Sequence, residues 1–325
     1  MIVLRTKVVF KSWMYLLLSA FLSGCTSENS STESAQSEMA VETEDGEQEV
    51  FLESGEFTFV HDGISRTYIL YVPENLPANS PLLFVNHGYG SNASFIRYYS
   101  EMDRVAAENN FAVVYPNGLP DEAGQQFFHI GYESNGDVDT DDVSFLRDLA
   151  NYLTSSSLLD SRNVFSTGMS NGADMSFLLA CEAPQTFRAV APVTGTMMDD
   201  NLADCVHNTP MPVLAINGTA DSITWYDGDM ENWGGYGPYL STPDVIAYWV
   251  QHNQLDQLET TSLEDKDPND GSRVVWERYW SQSTEAEVWL YRVENGEHDW
   301  PGSFGNNDID SSREIWSFLS RFVVE

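Results

Sequence analysis

From Pro81 onward, short apolar runs alternate with longer stretches whose apolar residues recur every three or four positions. "PLLFVNHG" reads as a buried strand ending in turn residues. "SFIRYYSEMDRVAAENN" has helical spacing through Phe95, Tyr98, Met102 and Val105, and predicts one helix. "FAVVYPNG" is a strand stopped by Pro116 and Gly118, followed by a polar loop from Leu119 to Asp139. A helix beginning near Val143 then places Val143, Leu146, Leu149 and Leu153 on one face. "NVFST" is a strand leading through a turn into the amphipathic run "ADMSFLLA". "FRAVAPVTG" and "PVLAINGTADS" supply two more strands. "STPDVIAYWVQHN" is a helix with Thr242 as N-cap candidate and Pro243 at the first helical position. "EVWLYRV" is the last strand, and "SSREIWSFLSRFV" a closing helix with Ile315, Trp316, Leu319 and Phe322 apolar. Upstream, "GEFTFVHDGISRTYILYVP" alternates apolar and polar residues around His61-Asp62-Gly63, the pattern of a β-hairpin. Strands interleaved with helices predict an α/β fold: one domain with a mostly parallel sheet covered by helices on both faces.

The N-terminal stretch differs in kind. "MIVLRTKVVFKSWMYLLLSAFLSGC" sets Arg5, Lys7 and Lys11 before an apolar run from Trp13 to Phe21, which reads as an export signal. Its end, Leu22-Ser23-Gly24-Cys25, resembles the lipobox of bacterial lipoproteins, and that resemblance implies lipidation of Cys25; an ordinary signal peptide with a stray cysteine is the alternative. Residues 26–52 are rich in Ser, Thr and Glu and nearly without apolar residues, so they predict a disordered acidic tether. The division expected is therefore a lipoprotein signal peptide over 1–25, the tether over 26–52 and a catalytic domain over 53–325.

The chain carries 15 Lys+Arg against 50 Asp+Glu, a net charge of −35, and beyond the signal its only lysine is Lys266. A phosphate backbone would be repelled, which argues against a nucleic-acid partner. Contact with a membrane is expected through the lipid anchor only. With Cys25 set aside, Cys181 and Cys205 are the remaining cysteines. Export to an oxidising compartment predicts that they form one disulfide, two buried free thiols being the alternative.

In a parallel sheet, ligands gather at the carboxyl ends of the strands. The polar residues just past the apolar runs are "HGYG", Ser170, Asp221 and His298. A serine hydroxyl is a weak nucleophile that needs an imidazole base, which in turn needs a carboxylate to fix its tautomer. All three types fall at strand ends here, in the order Ser, Asp, His. Ser170 sits in a Gly-x-Ser-x-Gly string between Gly168 and Gly172, on the strand–turn–helix context that string requires. The backbone N–H of Asn171 and that of Tyr89 are the oxyanion-hole candidates. No His/Cys cluster has metal-ligand spacing, and "DVDTDD" lacks the Gly and distal Glu of an EF-hand loop. No phosphate loop or nucleotide signature is present, so neither metal nor cofactor is implied.

The segments "RTYILYVP", "NHGYGSNAS", "VVYPNG", "DDVSFLRDL", "VFSTGMSNGADMSFLLACEAPQTFRAVAPVTG", "INGTADSITWYDG" and "GEHDWPG" together resemble the secreted α/β-hydrolase esterases of the polyhydroxybutyrate depolymerase and feruloyl esterase (carbohydrate esterase family 1-like) type. The resemblance spans about Phe57 to Val324. It implies an α/β-hydrolase fold with Ser170 as nucleophile, Asp221 as acid, His298 as base and Trp300 flanking the base at the mouth of the site. It implies an exported serine esterase with an acyl-enzyme, acting on feruloyl or acetyl esters of polysaccharide. The alternatives are an oligoester depolymerase, a peptidase of the same fold and a non-catalytic surface binding protein. The chain departs from the pattern at Asn217, where a histidine is common, and at Glu297 and Asp299, which put two carboxylates beside the base. Trp225, Trp233, Phe127 and Phe128 are candidates for an aromatic acyl site, with core or lid packing as the alternative.

Overall fold

The computed structural model describes residues 40–42, 48–50, 52–133 and 140–325. The stretch read as a signal peptide, with Cys25, lies outside the described residues. Within the stretch read as a tether, β1 (Ala40–Glu42) and β2 (Gln48–Val50) pair antiparallel in a small sheet of their own.

The hairpin at the start of the main sheet is β3 (Gly55–His61) and β4 (Ile64–Tyr71). Asp62 and Gly63 both take positive φ, 49° and 78°, as a two-residue hairpin turn requires. Next come β5 (Ser80–Asn86), α1 (Ala93–Ser100), α2 (Met102–Asn109) and β6 (Ala112–Pro116). The expected polar loop contains a short pair, β7 (Leu119–Pro120) and β8 (Gln126–Phe127). Then follow α3 (Asp142–Leu153), β9 (Leu159–Met169), α4 (Asn171–Glu182), β10 (Ala189–Val193), α5 (Asp199–Asp204), β11 (Val213–Gly218) and α6 (Thr242–His252). The chain closes with β12 (Gln257–Ser262), β13 (Arg273–Trp280), β14 (Val288–Glu294) and α7 (Ser311–Leu319).

Ten strands form the main sheet in the order β12-β13-β14-β11-β10-β9-β5-β6-β4-β3. The run from β14 to β6 is parallel throughout, and the strands beyond it at either side are antiparallel. The middle strands are buried on both faces, which is why they read as continuous apolar runs. On β5, Leu83 and Val85 pack with Ile96, Val105 and Ile315 of α1, α2 and α7. Leu82 and Phe84 face the other way, toward Leu146, Leu149 and Leu179 of α3 and α4. Helices thus cover both faces, as expected of this fold class.

Three local expectations are corrected. The single helix over 94–110 is two, because the Ser100 carbonyl is taken by the Ser312 hydroxyl and Glu101 turns left-handed at φ 49°. The cap of α6 is Ser241, one residue earlier than Thr242, its hydroxyl accepting the Asp244 N–H at 3.1 Å. The strands β12 and β13 had not been expected; β12 is exposed along its whole length and lacks the alternation that marks a half-buried strand. Cys181 and Cys205 are joined by a disulfide that ties the end of α4 to the end of α5. No helix among the described residues is long and apolar enough to cross a membrane.

Candidate active site

The turn between β9 and α4 holds Ser170 at φ 55°, ψ −124°, a backbone conformation disfavoured for any residue with a Cβ. The sequence accommodates the turn through its two glycines. A Cβ on Gly168 would lie 2.5 Å from the Gly172 carbonyl oxygen, and one on Gly172 would lie 2.2 Å from that of Asn86. Any side chain there would push the helix off the strand ends. The Ser170 N–H donates to Val193 C=O at 3.0 Å, pinning the turn to β10. The hydroxyl therefore stands at the carboxyl end of the sheet.

Two loops from neighbouring strands bring Asp221 and His298 together. Asp221 follows β11 and His298 follows β14, and those strands are paired in parallel. The His298 Nδ1–H donates to Asp221 Oδ2 at 2.7 Å. The other carboxylate oxygen, Oδ1, accepts the N–H groups of Ile223 at 2.8 Å and Thr224 at 2.9 Å. The Asp221 side chain is 1% exposed and that of His298 18%, so the pair is shielded on the carboxylate side and open on the imidazole side. A carboxylate accepts only, which fixes the proton on Nδ1 and leaves Nε2 as the basic nitrogen.

The loop after β5 lies against Ser170: a Cβ on Gly88 would be 3.4 Å from the Ser170 Cβ. His87 holds this loop. Its Nδ1–H donates to Gly88 C=O at 2.7 Å and its Nε2 accepts the Gly118 N–H at 3.0 Å. Burial pushes its pKa down to about 4, so it stays a neutral spacer rather than a second base. The Gly90 N–H bonds Gln126 C=O at 2.8 Å, and the Tyr89 hydroxyl donates to Asp121. Asn171 is the first residue of α4, where N–H groups have no partner within the helix.

Trp300 is not at the mouth of the site. It is 1% exposed, packs in the core with Ile315 and Trp316, and donates its indole N–H to the Ser312 hydroxyl at 3.1 Å. Two residues past His298, the chain has already turned inward to seat α7. Phe127 and Phe128 are buried as well, Phe128 against the His87 ring at 4.8 Å. Trp233 is 80% exposed, and Trp225 is half-buried with its indole N–H on Ser222 C=O. Asp299 is half-buried, its pKa raised by burial and then by Glu297. Asn217 donates to Gly195 C=O at 2.9 Å, bracing the turn after β10.

The sequence reading missed Asp174 and the side chain of Asn171. Asn171 pairs its amide with both the N–H and the C=O of Phe128, at 2.7 and 2.8 Å. Asp174 is buried, accepts the Thr196 N–H at 2.7 Å and the Tyr132 hydroxyl, and burial raises its pKa to about 7. An acidic residue inside "ADMSFLLA", on the side that must face the sheet, was the available signal. Among the described residues no group of His, Cys, Asp or Glu is arranged to hold a metal ion.

The chain is 28% identical to feruloyl esterase D of Neurospora crassa over 80% of its length and 83% of that protein. It is 26% identical to a putative esterase, NocK, of Nocardia uniformis subsp. tsuyamanensis, over 74% of its length and 72% of that protein. Among solved structures, the acetyl xylan esterase from Aspergillus awamori superposes with a TM-score of 0.58 at 14% identity, covering 82% of this chain and 99% of that one. An S-formylglutathione hydrolase from Agrobacterium tumefaciens gives 0.55 at 13% identity, over 83% and 95%. These likenesses establish the α/β-hydrolase fold. The family model described as "Esterase PHB depolymerase" matches residues 66–259, more than half of the chain. The chain belongs to the esterase PHB depolymerase family.

Proposed function

We propose that the protein is an exported serine esterase that hydrolyses feruloyl or acetyl esters carried on polysaccharide. The observation that carries this reading is the Asp221–His298 pair at 2.7 Å, which stands, like the serine of the strained turn, at the carboxyl ends of the parallel strands. Ser170 Oγ attacks the ester carbonyl while His298 Nε2 takes its proton, and Asp221 stabilises the imidazolium and holds its orientation. The N–H groups of Asn171 and Tyr89 receive the oxyanion. The bond to the alcohol then breaks, His298 returns the proton to the departing oxygen, and an acyl-Ser170 remains. Water attacks it by the same route in reverse and releases the acid.

The relatives named feruloyl esterase and acetyl xylan esterase support polysaccharide-linked esters as the substrate class. The disulfide fits an oxidising compartment. The "LSGC" string supports a lipid anchor on Cys25 in the bacterial envelope. Detergent-phase partition that is lost in Cys25→Ser would bear out the anchor; equal partition of both proteins would refute it.

The decisive comparison is kcat/KM on methyl ferulate, acetylated xylan and a hydroxybutyrate trimer, with Ser170→Ala as blank. The variant should lose activity by a factor on the order of 10⁵ to 10⁶ and lose fluorophosphonate labelling while keeping its fold. Undiminished hydrolysis by Ser170→Ala would refute the assignment. A preference for the trimer would replace polysaccharide esters with oligoesters as substrate.

A further inference from the structure

Beneath the nucleophile, α4 turns two polar side chains inward, Asn171 and Asp174, and the second takes no part in the chemistry above. Asp174 Oδ1 accepts the Thr196 N–H, just past β10, and Oδ2 accepts the Tyr132 hydroxyl. The Tyr132 ring packs 5.6 Å from that of Tyr236, and the Glu133 N–H donates to Tyr236 C=O at 3.0 Å. The Asn232 amide donates to Glu133 at 2.8 Å. The segment 126–133 is thereby fastened both to the nucleophile helix and to the segment 229–239. It also holds the loop after β5, through the Gly90 N–H on Gln126 C=O.

We propose that Asp174 is a positioning residue of this esterase, which when ionised clamps Tyr132 against the nucleophile helix and on taking a proton loosens the segment 126–133 and, through it, the loop after β5 that lies against Ser170. This rests on the esterase reading. Both partners of the carboxylate are donors. An ionised acceptor makes the stronger, charge-assisted bonds. A protonated one is left with neutral bonds, its own O–H donating to the Tyr132 oxygen while the tyrosine hydrogen rotates away, so the Tyr132 contact weakens. The titratable groups facing Asp174 are Tyr132, Tyr239, Asp221 and His298. Burial outweighs the two hydrogen bonds and the nearby imidazole, and places the exchange of the proton at about 7.

The test measures KM and kcat for methyl ferulate from pH 5 to 9 on the wild type, Asp174→Asn and Tyr132→Phe. Amide hydrogen-exchange protection of the segment 126–133 is followed on the same samples. In the wild type, KM should rise about fivefold from pH 8 to pH 6, the ratio of one net hydrogen bond, and segment protection should fall with it. In Asp174→Asn, KM and protection should be flat across this interval, while Tyr132→Phe should show the raised KM and lowered protection at every pH. Wild-type protection that does not change with pH, or a pH-dependent KM retained in Asp174→Asn, overturns the proposal. Should Asp174→Asn not fold, Tyr132→Phe, which lacks one hydroxyl, decides by its protection: unchanged from the wild type at pH 8, it refutes the clamp. If the wild type leaves the ester intact, the esterase reading fails, and the exchange data still decide the clamp.

Discussion

Taken as whole residues, Asp221 and Asp174 are buried to nearly the same degree, 6% and 5% exposed, in two regions built differently. Asp221 lies in a loop past β11 and meets three donors, two of them backbone N–H groups and one an imidazole that can carry positive charge. Asp174 lies in the first turn of α4, near a helix N-terminus that favours negative charge, and receives a hydroxyl and one N–H. For Asp174 burial still wins, and its pKa rises to about 7. Burial alone therefore does not set a carboxylate's role. The two carboxylates differ in the number of donors they meet and in whether one of these can become a cation in contact with them.

The comparison is sharpened first at Asp221. In Asp221→Asn the amide can no longer require a proton on His298 Nδ1, so the wrong tautomer is admitted and kcat should fall by about 10⁴. Circular dichroism should show the fold unchanged. A loss of only a few-fold would mean that another carboxylate orients the base, and Asp299 is the one to examine next.

The second effect belongs to stability. The folded Asp174 has its pKa raised from 3.8 to about 7, so between those values the folded chain binds more protons than the unfolded one. The stabilisation is complete below pH 3.8 and is lost as pH rises toward about 7, a total of roughly 4 kcal/mol at 1.36 kcal/mol per unit. Asparagine does not titrate. The Tm of Asp174→Asn relative to wild type should therefore climb from pH 4 to pH 8, and a constant difference would show that Asp174 is already ionised at low pH.

The third concerns the far end of the same helix. Cys181 and Cys205 are 24 residues apart in sequence, and closing a loop of that length restricts the unfolded chain by about 3 kcal/mol. Replacing both by serine should lower stability by that amount and leave KM unchanged, because the bridge lies at the end of α4 opposite Ser170. A rise in KM would show that α4 transmits strain along its length.

Where the sequence could be read, the reason was local. Gly168, Ser170 and Gly172 fall within five consecutive residues, and each strand end announces itself by the residue after an apolar run. Asp174 was not legible as a buried acid because its partners, Tyr132 and Thr196, lie 42 and 22 residues away. The antiparallel extension β12–β13 escaped for another reason. An edge strand whose residues are all exposed carries no period-two signal. The family resemblance implies Trp300 at the mouth, but a shared motif around His298 does not say which way the chain turns two residues later.

Trp300 gives the smallest effect and separates core from mouth. Its indole N–H donates to the Ser312 hydroxyl, which itself donates to Ser100 C=O at the break between α1 and α2. Trp300→Phe keeps an aromatic ring in the core and removes that one donor. Stability should drop by about 1 to 2 kcal/mol, a lost hydrogen bond plus a small void. KM for methyl ferulate should stay within about twofold, less than one hydrogen bond would change it, because the ring faces Ile315 and Trp316 rather than the site. A large rise in KM at unchanged Tm would return the residue to the mouth of the site.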